Sequence, residues 1–297
     1  MTKAKKDEDI RVVFRTSYSD TPENSDIVIP EGIEEIAENA FRDFKYLKSV
    51  TLPRSLKRIS ACAFAGCTAL ERVTIPHGVS EILDEAFSSC PALREIIMPD
   101  SVIRLGEGCF EGCASLSKVR LSEAIYMIGA SAFAFCFNLT HLTVPDSCAL
   151  IEFSAFSCCF NLESVKLSDN MGLIDESTFE GCRSLKSVDL PTKLVKIGRR
   201  AFKGCASLAS IILPINTRTI GFDAFADCTS LVRIALPRDL FEIEDADVFA
   251  GCDALTDVSF GGSPDGWERL MRSRVLTVSR SDGSTYSPKV SFMNLGK

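Results

Sequence analysis

Apolar and polar positions along this chain follow a unit that repeats every 23 residues. Arg54 to Pro76 shows it: Leu56 and Ile59 open the unit, Ala63 and Phe64 follow, then Gly66, Cys67, Leu70, Val73, Ile75 and Pro76. The closing stretch Leu70-x-x-Val73-x-Ile75 ends in period-two alternation, which predicts a short half-buried strand. A proline follows most of these stretches. It lacks a backbone donor, so it predicts the corner at which the chain leaves the sheet. The middle piece, Ala63 to Cys67, is too short for a full helix. It predicts one helical or 3-10 turn that points the phenylalanine inward, with Gly66 permitting the tight exit.

The beat is carried by Phe41, Phe64, Phe87, Phe110, Phe133, Phe156, Phe179, Phe202 and Phe225, and one extra residue delays the next to Phe249. From the second beat onward a cysteine follows three places later: Cys67, Cys90, Cys113, Cys136, Cys159, Cys182, Cys205, Cys228 and Cys252. A period of this length marks a solenoid, in which each repeat buries its apolar side only against its neighbours. About ten coils stacked at strand spacing give a rod roughly 45–50 Å long. Its core ladder contains Phe64, Phe87, Phe110, Phe133 and Phe156 with Cys67, Cys90, Cys113 and Cys136. The expected organisation is a tail and cap over 1–25, a solenoid over 26–260 and a second cap over 261–297. Within the first, a disordered start leads into an edge strand, Ile10–Phe14.

Thirteen cysteines would suggest disulfides in a short secreted domain, but nine of them share one repeat phase. Equivalent cysteines on stacked coils have parallel Cβ vectors about 4.8 Å apart, whereas a disulfide needs them facing at about 3.5–4.5 Å. Phe44 takes the cysteine position in the first unit, so that phase reads as an apolar slot filled by free thiols. Cys62, Cys109, Cys148 and Cys158 fall outside the phase and either pair locally or stay free. The start, Met1-Thr-Lys-Ala-Lys-Lys-Asp-Glu-Asp, carries charge but no following apolar segment. Together with the thiols, this leads us to expect a cytoplasmic, reducing location for the chain as written. A signal removed from its front would place it at the cell surface or outside the cell.

The string Ile-x-x-x-Ala-Phe-x-x-Cys-x-x-Leu-x-x-Val-x-Leu-Pro is clearest in Ile59–Pro76 and Ile197–Pro214. It resembles the BspA-like, or Treponema pallidum-type, leucine-rich repeat family from about Asp26 to Phe260. The resemblance implies a right-handed superhelix of short parallel strands. It also implies a non-catalytic protein-binding role connected with adhesion, or a structural spacer at a cell surface. Phe44, Thr178, Ser122 and Ser168 depart from the pattern. The segment around Trp267 is similar to the short tryptophan-bearing piece that ends many arrays of this family, which assigns Trp267 to a plug over the open core. Val275–Ser279 and Lys289–Phe292 are expected to complete that cap.

Catalysis needs unlike groups brought together, and this chain repeats like ones. His77 and His141, the two histidines, lie at different phases, and the ladder cysteines are expected inside, away from either. There is no C-x-x-C, no histidine pair at ligand spacing and no phosphate-cradling glycine loop followed by a lysine. No catalytic residue, metal, cofactor or small-molecule substrate is therefore expected. A net charge of −7 with interspersed signs argues against general nucleic-acid binding. No stretch approaches the roughly 18 apolar residues of a membrane span.

The outward strand positions form two columns that vary while the core columns do not. One runs Ser49, Arg72, Glu95, Lys118, His141, Ser164, Ser187, Ser210, Arg233; the other runs Thr51, Thr74, Ile97, Arg120, Thr143, Lys166, Asp189, Ile212, Ala235. Arg72, Lys118, Arg120, His141 and Lys166 are the expected contact residues for a protein partner with an acidic surface. Beyond them, Ser210, Ile212 and Ala235 make a less charged end.

Overall fold

The computed structural model describes residues 11–244, 247–271 and 276–292. The chain divides into two compact units, Met1–Leu139 and Thr140–Lys297. Each is a stack of coils, and every closing stretch forms a short parallel strand. In the first unit these are Asp26–Val28, Ser49–Thr51, Arg72–Thr74, Glu95–Ile97 and Lys118–Arg120. In the second they are His141–Thr143, Ser164–Lys166, Ser187–Asp189, Ser210–Ile212, Arg233–Leu236 and Asp257–Phe260. The register is that of the repeat, Val50 opposite Val73 in one unit and Val165 opposite Val188 in the other.

These strands count about 11 turns of β-solenoid, one more than the phenylalanine beat announces. The additional coil precedes Phe41. Tyr18 lies one period earlier and occupies the phenylalanine slot, its ring 5.5 Å from that of Phe41. Burial raises the pKa of its phenol. Val12–Val13 forms the edge strand, paired with Glu35–Ile36. Asp20 closes the end by accepting the backbone N–H groups of Lys45 and Tyr46 at 2.9 and 3.0 Å. Residues 1–10, which hold the expected disordered start and Ile10, lie outside the described residues.

A second ladder, not expected from the repeat pattern, runs through two-residue strands before each phenylalanine. Glu35–Ile36, Arg58–Ile59, Glu81–Ile82, Arg104–Leu105 and Met127–Ile128 pair in parallel in the first unit. Leu173–Ile174, Lys196–Ile197, Thr219–Ile220 and Glu242–Ile243 do so in the second.

From the second coil onward, the piece carrying each phenylalanine is not the helical turn its length suggests. Alternate amides point in different directions. Ala40, Arg42 and Phe44 donate to carbonyls three residues back, while Phe41 and Asp43 donate to Ala63 and Ala65 of the next coil at 2.7 Å each. Left-handed residues flank the ring, Asn39 at φ 58° and Asp43 at φ 61° in this coil, and they break any helix while aiming those amides along the stack. Gly66 holds the second of these positions at φ 72° in the next coil.

Leucine, isoleucine or valine, phenylalanine and cysteine fill the interior, and all ten ladder phenylalanines have no exposed surface. Within the first unit, successive rings lie 5.0 to 5.4 Å apart and nearly parallel. A centroid distance of this size, with planes aligned, is offset stacking, the arrangement an aromatic quadrupole favours. The second unit repeats it from Phe156 to Phe225 at 5.4 to 5.6 Å. Phe249, after the extra residue, lies 5.9 Å away and tilted by 24°.

All thirteen cysteines are free. The phase ones are buried, and their thiols do more than fill space: Cys67 Sγ donates to the Phe41 carbonyl at 3.1 Å, and Cys90 to that of Phe64 at 3.1 Å. Cys113, Cys136, Cys182, Cys205, Cys228 and Cys252 repeat the contact at 3.0 to 3.3 Å.

After the last coil strand comes the only α-helix among the described residues, Pro264–Met271. Its buried side chains are Leu270 and Met271, while Trp267 is half-buried with its ring 5.5 Å from Phe260. Lys289–Phe292 then adds a parallel strand beside Asp257–Phe260. Val278–Ser279 pairs with Thr285–Tyr286. Val275, the expected start of the piece ending at Ser279, lies outside the described residues.

Candidate protein-interaction surface

A three-residue strand buries its middle side chain and turns its two ends outward. In Arg72–Thr74, Val73 is buried while Arg72 and Thr74 are exposed. Repetition at coil spacing converts this local alternation into two outer columns on each unit.

The first unit brings together Arg72, Lys118 and Arg120. Glu95 lies between the first two, with Arg72 its Cα partner on one side and Lys118 on the other. The Lys118 ammonium pairs with the Glu95 carboxylate. Arg120 reaches Asp100 at 3.4 Å and donates to the Met98 carbonyl at 3.4 Å. Among the described residues, Arg72 has no ion-pair partner, although its charge contributes to holding the Asp26 carboxyl below its usual range, behind the larger effects of the Ser49 and Ser25 hydroxyls. The basic side chains are therefore interleaved with acids instead of forming a bare cationic patch.

His141 and Lys166 belong to the second unit. His141 is exposed, and its Nδ1 lies 2.8 Å from Ser164 Oγ. Lys166 sits opposite Thr143 and Asp189 in the ladder. Farther along this unit, Ile212 is 76% exposed opposite Ala235.

The outer face of the first unit also carries a trough. Two hollows, about 550 and 340 Å³, share Thr74, Ile75 and His77 and continue one another across the strands. Thr51 and Arg54 border the larger; Arg72, Glu95, Ile97 and Arg120 border the smaller. Arg54 and His77 are not among the contact residues expected from the sequence. Each follows a corner proline, Pro53 or Pro76, a position that reads as chain leaving the sheet. The signal available was positional: the residue after the proline recurs every 23 residues and so forms a third column beside the other two.

Among the described residues no group of three histidine, cysteine or acidic side chains could hold a metal ion, and no helix is long and apolar enough to cross a membrane.

A profile of the BspA type leucine rich repeat region matches residues 34–161 and 149–265, with six copies. No curated protein matches the sequence. Among solved structures, the chain is similar to a leucine-rich repeat protein from Bacteroides ovatus ATCC 8483, at 26% identity and TM-score 0.54 over 91% of this chain and 84% of that one. A leucine rich cell surface protein from Faecalibacterium prausnitzii A2-165 gives 25% identity and TM-score 0.44 over 83% and 90%. The T. pallidum leucine rich repeat protein gives 29% identity and TM-score 0.45 over 63% and 85%.

Proposed function

The chain belongs to the BspA-type leucine-rich repeat family, and from that premise we propose that it is a non-catalytic interaction module whose outer strand face holds a macromolecular partner. The observation that supports this reading is the contrast between columns. Core positions repeat one residue type from coil to coil, as packing requires. The outward positions on the same strands are exposed or half-exposed and change in size and charge along the stack, from Thr51 to Ile97 to Arg120 in one column and from Arg72 to Glu95 to Lys118 in the other. A surface needed only for solubility has no use for an exposed Ile97 between charged strands, whereas mixed apolar and charged groups suit protein recognition.

The contact residues in this reading are Arg72, Lys118 and Arg120 on the first unit, and His141 and Lys166 on the second. The ion pairs of Lys118 and Arg120 are exposed, so exchanging an internal carboxylate for a partner's costs little.

A photo-cross-linking side chain at Thr74 or Ser187, both on the strand face, tests the proposal against one at Thr68 on the turn side. Adducts to one protein from the strand positions, absent from Thr68, are expected. Equal adducts from all three positions, or adducts from Thr68 alone, refute a dedicated strand face.

A further inference from the structure

The trough on the first unit indicates what the partner presents. Four basic side chains border it, Arg54, Arg72, His77 and Arg120, and the one acid in its lining, Glu95, is already engaged by Lys118. The nearby acids are committed as well: Glu31 accepts the backbone N–H of Arg54 at 3.2 Å, and Asp100 accepts that of Glu123 at 3.2 Å besides facing Arg120. In a chain of net charge −7, a recess edged in this way is suited to carboxylates.

Its floor sets their spacing. Arg72, Ile97 and Arg120 stand on three successive strands, with Ile97 on the middle one and 42% exposed. Two strand spacings along the ladder and two residues across it separate Arg72 from Arg120 by about 12 Å. An extended chain covers about 13 Å in four residues, and its side chains at i, i+2 and i+4 share one face.

Building on the strand-face reading above, we infer that the trough receives an extended acidic segment of a partner protein. The segment has the pattern acid-x-apolar-x-acid: its carboxylates meet Arg72 and Arg120, and its apolar side chain rests on Ile97. Arginine suits this role because its planar fork grips a carboxylate in two hydrogen bonds.

Fluorescence anisotropy of the full chain with labelled Gly-Glu-Ser-Leu-Ser-Glu-Gly tests the inference, with Gly-Gln-Ser-Leu-Ser-Gln-Gly as the neutral control. The acidic peptide is expected to bind at least tenfold more tightly than the control, and more weakly as salt rises. Arg72→Glu and Arg120→Glu should each lower its affinity about tenfold or more, and Ile97→Asp should do likewise by repulsion. Lys193→Glu, an exposed position on the other unit and outside the contact residues, should leave it unchanged. These positions are exposed, and matching melting curves establish that the variants fold. Equal binding of the two peptides, binding unaffected by both arginine reversals, or no saturable binding of the acidic peptide overturns the inference. The strand-face reading fails separately: cross-links from Thr74 that the acidic peptide does not displace retain that reading and reject this occupant, whereas absence of strand-face cross-links rejects the reading itself.

Discussion

The thiol column joins packing to hydrogen bonding within single residues. Ladder cysteines such as Cys67 and Cys136 fill an apolar slot and also donate to a phenylalanine carbonyl of the preceding coil, a second hydrogen bond beside the one that carbonyl accepts from the backbone N–H three residues on. The first full coil carries Phe44 in place of cysteine, and there Phe44 packs edge-on against Phe41 at 5.4 Å. Burial pushes the Cys113 thiol up to about 12 and the Cys148 thiol up to about 11, from an ordinary value of 9.0. The folded state thus holds these protons more tightly than the unfolded chain does. Their contribution to stability is complete below pH 9.0 and is lost as pH rises through about 12. Denaturant midpoints should stay level near neutrality and fall between those limits. A midpoint that rises over this range would contradict the buried, protonated column. The phase of the cysteines was legible in the sequence because identical spacing forces identical placement. Their hydrogen bonds were not, because an apolar slot and a slot that also offers a carbonyl accept the same residue.

At the scale of elements, legibility followed length. The three-residue strands announce themselves by alternation around a buried centre, as in Ser49–Thr51. A two-residue strand such as Arg104–Leu105 has no room to alternate, so the second ladder left only its buried member as a trace. Close backbone approach shows in the glycines that follow several of these strands, Gly106, Gly129, Gly198 and Gly221. A Cβ on Gly129 would lie 2.7 Å from the Gly106 carbonyl carbon and 2.8 Å from the Glu107 nitrogen, and backbone atoms cannot swing aside. Gly129→Ala should therefore force neighbouring coils apart and lower stability by about 1–3 kcal/mol, the usual cost of overpacking. Chemical denaturation measures it, and an unchanged midpoint would mean the coils separate freely there. The turn segment was misread for another physical reason: left-handed residues such as Cys62, at φ 52°, are not confined to glycine or asparagine here, so composition gave no warning.

Across the whole molecule, repetition made the architecture plain and the surface obscure. A core that repeats can be read from one coil, whereas an interaction face is defined by the positions that refuse to repeat. Arg72, Lys118 and Arg120 could be placed on one face from period two alone. Their acidic neighbours could be placed too, but whether Glu95 pairs with Lys118 or Arg72 is a matter of side-chain geometry. His77 and Arg54 came into the candidate site only through the trough that joins them to the strands. The central claim is that this face, and not the array's length, carries the activity. Its most direct test is the affinity of the cross-linked partner, once purified, for the wild type beside a variant reversed at Arg72, Lys118 and Arg120, with equal melting temperatures. At least a hundredfold loss, diminishing as salt is raised, is the predicted result. Affinity unchanged by the triple reversal would contradict the account.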